Sequence, residues 1–150
     1  MIEEIFLIST NIVRLIVFLV VPIILYFKDE KRLVTYLISL AFVLIIIYGL
    51  KYGLGIPRPE EAAFDVMTPR FPSGHTSLAF LPILFFKSWR YRFPLLIYAI
   101  FVAYLRIHLD LHVFIDIFAS IFITISIAVL FLRFKEEVYQ KFDTLLRKIK

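Results

Sequence analysis

Three stretches of the chain carry side chains that could act on a phosphate group. The first is Lys51-x6-Arg58-Pro59, the second Pro72-Ser73-Gly74-His75, and the third Arg106-x5-His112-x3-Asp116. Phosphoryl transfer spreads negative charge over the equatorial oxygens, so catalysis is mostly positioning and charge stabilisation. Lys51, Arg58 and Arg106 supply cations for that charge, and arginine forks match phosphate oxygens in pairs. Ser73 and Gly74 lead into a predicted helix, where backbone N–H groups can point at an anion and a glycine lets a ligand approach the backbone. His112 and Asp116 stand at i and i+4, a spacing that predicts one helical face. A carboxylate at that offset can hold one imidazole nitrogen and leave the other free to attack. His75 is then the general acid for the leaving oxygen and later the group that activates water.

Each stretch alone has a plainer reading. Pro57-Arg58-Pro59 reads as an interfacial turn, Lys51 as a snorkelling helix end, and His75 as the neighbour of a helix cap. All three together, in order and on one side of the spans described below, favour the joint reading. A rival is a metal site built from His108-x-Asp110-x-His112-x3-Asp116. It leaves Lys51, Arg58 and Arg106 without a reason to be there, so no metal ligands are assigned, and His108 is read as an interfacial polar residue. Asn11 and Arg14 fall inside the first apolar segment. Charge there is costly and often functional, with snorkelling to the interface as the alternative for Arg14. Glu60, Glu61 and Asp65 read as a solvated loop, and Trp89, Tyr91 and Phe93 as interfacial anchors.

The elements that must position these residues are membrane helices. Apolar residues make up 61% of the 150, against about 45–50% in soluble domains. Mean hydropathy is +0.90 and only 19% of residues are charged. So many apolar side chains cannot all be buried in one small core, and lipid is the natural solvent for the excess. There is no cysteine, which excludes disulfides, zinc thiolates and thiol nucleophiles. Apolar segments run over about 5–27, 33–50, 76–86, 93–105 and 113–134. They do not alternate as barrel strands do, so backbone groups in hydrocarbon must be satisfied within helices. The expected fold is all-α, a polytopic membrane helix bundle with about five transmembrane helices, forming a single domain over residues 1–150. The third and fourth segments are short of the ~20 residues a span needs, which predicts a site set below the membrane surface. Residues 135–150 form an amphipathic stretch suited to a helix at the membrane surface. Glu3 and Glu4 stand where a signal peptide would be basic, so the first segment reads as retained.

Basic residues orient the bundle. With five spans, Lys28, Lys31, Arg32, Lys87, Arg90, Arg92, Arg133, Lys135, Lys141, Arg147, Lys148 and Lys150 fall on one side, twelve of the seventeen Lys and Arg. The positive-inside rule makes that side, with the tail 135–150, cytoplasmic. The three clusters, confined to residues 51–116, fall together on the outer side, although the spans were drawn from hydropathy alone.

The three clusters resemble the signature motifs of the type 2 phosphatidic acid phosphatase superfamily, whose pattern is K-x6-RP, PSGH and SR-x5-H-x3-D. Order and spacing match from Lys51 to Asp116. The resemblance implies phosphate binding by Lys51, Arg58, Ser73, Gly74 and Arg106. It also implies His75 as acid, His112 as nucleophile and Asp116 as its partner, in a metal-independent reaction with no cofactor. Two departures stand out. Leu105 replaces the serine before the third-motif arginine, and five spans are counted where membrane members of the family commonly have six. The expected activity is a membrane lipid phosphatase working through a phosphohistidine, at the outer face of the cell membrane. Its partners are then a lipid phosphate or diphosphate and the surrounding lipids, with no nucleic acid. An outward site suits spent lipid carriers, so polyprenyl diphosphate, such as undecaprenyl diphosphate, is the first-choice substrate. Phosphatidylglycerophosphate and phosphatidate are alternatives of the same chemistry. A non-catalytic lipid-binding or transport protein is the alternative of another class, and retention of both histidines and Asp116 speaks against it.

Overall fold

The computed structural model describes residues 2–58, 60 and 68–149. Pro59, Glu61 and Asp65 lie outside them, and Glu60 is exposed. Every regular element among the described residues is helical: α1 (Ile2–Leu15), a π-helical turn (Ile16–Val20), α2 (Val21–Lys28), α3 (Glu30–Leu54), α4 (Gly74–Phe85), α5 (Trp89–His108), α6 (Phe114–Arg133) and α7 (Lys135–Ile149). The expected all-α bundle is what forms. Three stretches are long and apolar enough to cross a membrane by length and composition, Ile8–Lys28, Glu30–Leu54 and Phe114–Arg133. The fourth segment is extended at both ends into the 20-residue α5, whose extra residues include Arg90, Arg92 and Arg106. The third is the 12-residue α4.

Local chemistry sets the helix ends. Pro22 lies in the first turn of α2, where it can donate no hydrogen bond to the preceding turn. The ladder widens just before it, with the Val21 N–H reaching the Ile16 carbonyl. The Tyr36 hydroxyl then donates to the Val17 carbonyl at 2.9 Å, as a disturbed ladder in hydrocarbon requires. Asp29 caps α3 by accepting from the Arg32 N–H at 3.1 Å. Gly55, at φ 58, closes α3 in the left-handed conformation and returns its N–H to the Lys51 carbonyl.

The short α4 stands at the centre, packed against α1, α3, α5 and α6. Its buried residues include Thr76, Ser77, Ala79 and Leu81. Against it α6 turns a stripe of Asp116, Ser120, Thr124 and Ala128, each 0% exposed, at four-residue spacing. Small and hydroxylated side chains let membrane helices approach closely, where apolar burial supplies no drive. The outer faces are the reverse. Ile45, Phe118 and Phe122 are 67%, 64% and 73% exposed, an arrangement suited to lipid and not to water.

The length of α4 decides the depth of the site. A Cβ built on Gly74 would lie 3.7 Å from Ile47, so α4 begins level with Ile47 of α3. Seven residues separate Ile47 from the end of α3 at Leu54, which is about 10 Å of helix. The first turn of α4 is therefore recessed inside the bundle.

Candidate active site

At that recess lies a cavity of about 270 Å³, slightly below the ~300–1,000 Å³ typical of drug-sized pockets. Its walls include Arg14, Lys51, Arg58, Gly74, His75, Arg106 and His112. Six of the eight residues singled out in the sequence thus face one space. The other two, Ser73 and Asp116, are 0% exposed and stand behind it.

The loop after α5 delivers His112. Asp110 takes φ 53, a left-handed conformation that aspartate tolerates better than most residues. The chain reverses there, and both Leu111 and His112 return their N–H groups to the Arg106 carbonyl at 3.1 Å. The anchor cation and the imidazole are thereby tied together. His112 does not share a helical face with Asp116, as the spacing predicted, because α6 begins only at Phe114. Asp116 instead sits in the first turn and reaches back. Its Oδ2 accepts from the Val113 N–H at 3.0 Å and lies 3.3 Å from His112 Nδ1. Helix capping thus aims the carboxylate at the imidazole.

Asp116 has a further partner that spacing did not reveal. Arg70 Nε lies 3.4 Å from Oδ2, so one carboxylate oxygen meets a guanidinium, an imidazole and a backbone N–H. Ser120 supports the same region by donating to the Asp116 carbonyl at 2.6 Å. A serine four residues after Asp116, inside an apolar helix, was a legible signal. Nothing in the pattern marked Arg70.

Lys51 and Arg58 are pinned by carbonyl groups. Lys51 donates to the Pro69 and Arg70 carbonyls at 2.5 and 3.2 Å. Arg58 donates to the Thr68 carbonyl at 3.0 Å, the Leu111 carbonyl at 2.5 Å and the Thr68 hydroxyl at 3.3 Å. A lysine has three donors and an arginine five, so Lys51 keeps one N–H and Arg58 two for a ligand. Arg106 is 2% exposed and donates to Thr10 Oγ1 at 2.9 Å.

Ser73 differs from expectation. Its N–H donates to Ser120 Oγ at 2.7 Å, and its hydroxyl caps α4 by accepting from the Thr76 N–H at 3.4 Å. It holds α4 against α6 and does not line the cavity. Gly74 does line it, and a Cβ there would meet only ordinary contact with Ile47. Leu105, in place of the family serine, is 7% exposed and faces the packed interior. His108 stacks on Tyr104 with ring centroids 5.4 Å apart. Among the described residues no three His, Asp or Glu side chains converge as metal ligands.

Four cations line the cavity, Arg14, Lys51, Arg58 and Arg106, and its acidic group stands behind His112. Such a lining suits an anion, and the His112 imidazole stands in the same wall. Burial, then the charges of Arg58 and Lys51, hold the His112 imidazole well below its ordinary range, at about 4, against the opposing bond to Asp116. It is neutral near pH 7. With Nδ1–H donated to Asp116, Nε2 keeps a lone pair.

No curated protein matches the chain significantly. Among solved structures, LpxE of Aquifex aeolicus superposes with a TM-score of 0.76, covering 87% of this chain and 85% of that one at 21% identity. At that identity the likeness concerns the fold. The PAP2 superfamily profile matches residues 32–140, a segment that holds every one of the three clusters. On that match the chain belongs to the PAP2 superfamily.

Proposed function

We propose that this single-domain membrane protein is a lipid phosphatase acting through a phosphohistidine on His112, with a polyprenyl diphosphate as its first substrate. The observation that carries the reading is a carboxylate-held imidazole in the wall of a cavity lined by Lys51, Arg58 and Arg106. Such cations stabilise charge on a transferred phosphoryl group. Nε2 attacks phosphorus, the bond from phosphorus to the lipid-side oxygen breaks, and the electron pair leaves with that oxygen. His75 gives it a proton where it needs one. Water, deprotonated by His75, then attacks the phosphohistidine. The P–N bond breaks and orthophosphate departs. The preference for a polyprenyl diphosphate rests on an outward site and on the family, since no residue described here reads the lipid tail.

The test is orthophosphate release by purified protein in detergent, compared across a polyprenyl diphosphate, phosphatidate and phosphatidylglycerophosphate. Turnover that persists in EDTA and disappears in His112→Ala, with acid-labile label trapped on the wild-type chain, is the expected result. Lipid binding without turnover would instead indicate a non-catalytic carrier. Strict dependence on an added divalent ion would contradict the mechanism.

A further inference from the structure

We infer that Arg14 is a fourth phosphate-binding cation of this site, holding the membrane-side phosphoryl group of a lipid diphosphate as it leaves. The inference rests on the phosphatase reading and deepens it. Arg14 belongs to none of the three clusters and lies outside residues 32–140, the part that the family profile covers.

Placement is the first argument. The N-terminal part of α1 is fastened beside the site, because the Ser9 carbonyl accepts from the Tyr98 hydroxyl at 2.8 Å and Thr10 accepts from Arg106 at 2.9 Å. Arg14 follows Thr10 by four residues, so it shares that face of α1 and sits about 6 Å further along the axis. That direction leads from the level of Arg106 toward the middle of the Ile8–Lys28 span. Helical side chains tilt back toward the N-terminus, which returns the Arg14 guanidinium to the cavity it lines.

Charge is the second. An arginine inside a span is expensive unless it is paired or serves a water-filled path. Among the described residues no carboxylate pairs with Arg14. Arg14 is exposed, and the cavity is among the surfaces it lines. Arg58 and Arg106 stand with His112, so the phosphoryl group under attack belongs with them. In a lipid diphosphate the adjacent phosphoryl group, joined to the chain, lies on the membrane side, where Arg14 is.

Chemistry is the third. Attack on the outer phosphorus breaks its bond to the bridging oxygen, and the electron pair stays with the lipid monophosphate. The charge that appears on that leaving group is what a guanidinium at Arg14 stabilises. A lipid monophosphate offers Arg14 no second phosphoryl group.

The test compares kcat/KM for farnesyl diphosphate and farnesyl monophosphate in the wild type, Arg14→Gln and Arg14→Lys. Loss of a charge-assisted bond should lower the diphosphate-to-monophosphate ratio by about tenfold or more in Arg14→Gln. Arg14→Lys, which keeps the charge and the folding context, should fall between that variant and the wild type. An equal loss on both substrates, or an unchanged ratio, overturns the inference. If the wild type hydrolyses neither lipid, the proposed function fails on its own. Arg14 is then judged by calorimetric binding of inorganic diphosphate against orthophosphate, where Arg14→Gln must weaken the diphosphate selectively.

Discussion

At the scale of single residues, one carboxylate oxygen organises the site. Asp116 Oδ2 faces His112 Nδ1, the Val113 N–H and Arg70 Nε, which fixes the imidazole by its Nδ1 side and leaves Nε2 for phosphorus. The same imidazole feels opposing influences. Burial, Arg58 and Lys51 disfavour its protonated form, while the bond to Asp116 favours it. A nucleophilic imidazole must be neutral, so protonation removes activity as pH falls through the folded-state pKa. That limb is expected at about 4 and not at the ordinary 6.5. Two substitutions should move it in opposite directions. Arg58→Gln removes a neighbouring positive charge and raises the His112 pKa, whereas Asp116→Ala removes the favouring bond and lowers it. Carbon-13 NMR of labelled histidine in detergent reads both shifts without needing turnover. A shared direction of shift would refute this assignment of forces.

At the scale of elements, α4 is a short post held by its neighbours, and Ser120 is the peg. Its hydroxyl accepts from the Ser73 N–H at 2.7 Å and donates to the Asp116 carbonyl at 2.6 Å. Ser120→Ala leaves the buried Ser73 N–H with only the Asp116 carbonyl, 3.5 Å away. The expected destabilisation is about 1–3 kcal/mol, measurable by denaturant titration in mixed micelles, with turnover reduced because the starts of α4 and α6 lose their tie. Unaltered stability would mean that the longer contact suffices. These elements also show what could be read in advance. Apolar runs announced the helices, because a backbone in hydrocarbon has few alternatives. Lys51, Arg58 and His112 announced themselves by type and spacing. The pairing of Arg70 with Asp116 was hidden, since spacing reports neighbours along one helix and not which loop folds over which carboxylate. For the same reason the His112–Asp116 pair was expected along a helix and is made across a helix start instead, and Ser73 was expected at the phosphate yet secures α4.

At the scale of the whole molecule, most of the basic residues gather at the end of the bundle opposite the cavity. Arg32 donates to the Phe85 carbonyl, Lys28 meets the Tyr91 hydroxyl, Lys87 approaches Asp29 at 4.0 Å, and Lys31 pairs with Glu136 of α7. These contacts gather the starts of α3, α5 and α7 and the end of α4 at one basic end, away from the cavity at the start of α4. Basic loops resist translocation, so the basic end should stay in the cytoplasm and the cavity should open outward. An outward cavity would meet lipid headgroups of the outer leaflet, and this links orientation to substrate. The chain has no cysteine, so single introduced thiols can report on it directly. Glu60 and Ser88 are both exposed, and Ser88 makes no side-chain capping bond to α5, so neither replacement should disturb packing. In intact cells a membrane-impermeant maleimide should label Glu60→Cys, while Ser88→Cys should react only after permeabilisation. The reverse pattern would place the cavity at the cytoplasmic leaflet and withdraw the argument for an outer-leaflet diphosphate, while leaving the chemistry at His112 intact.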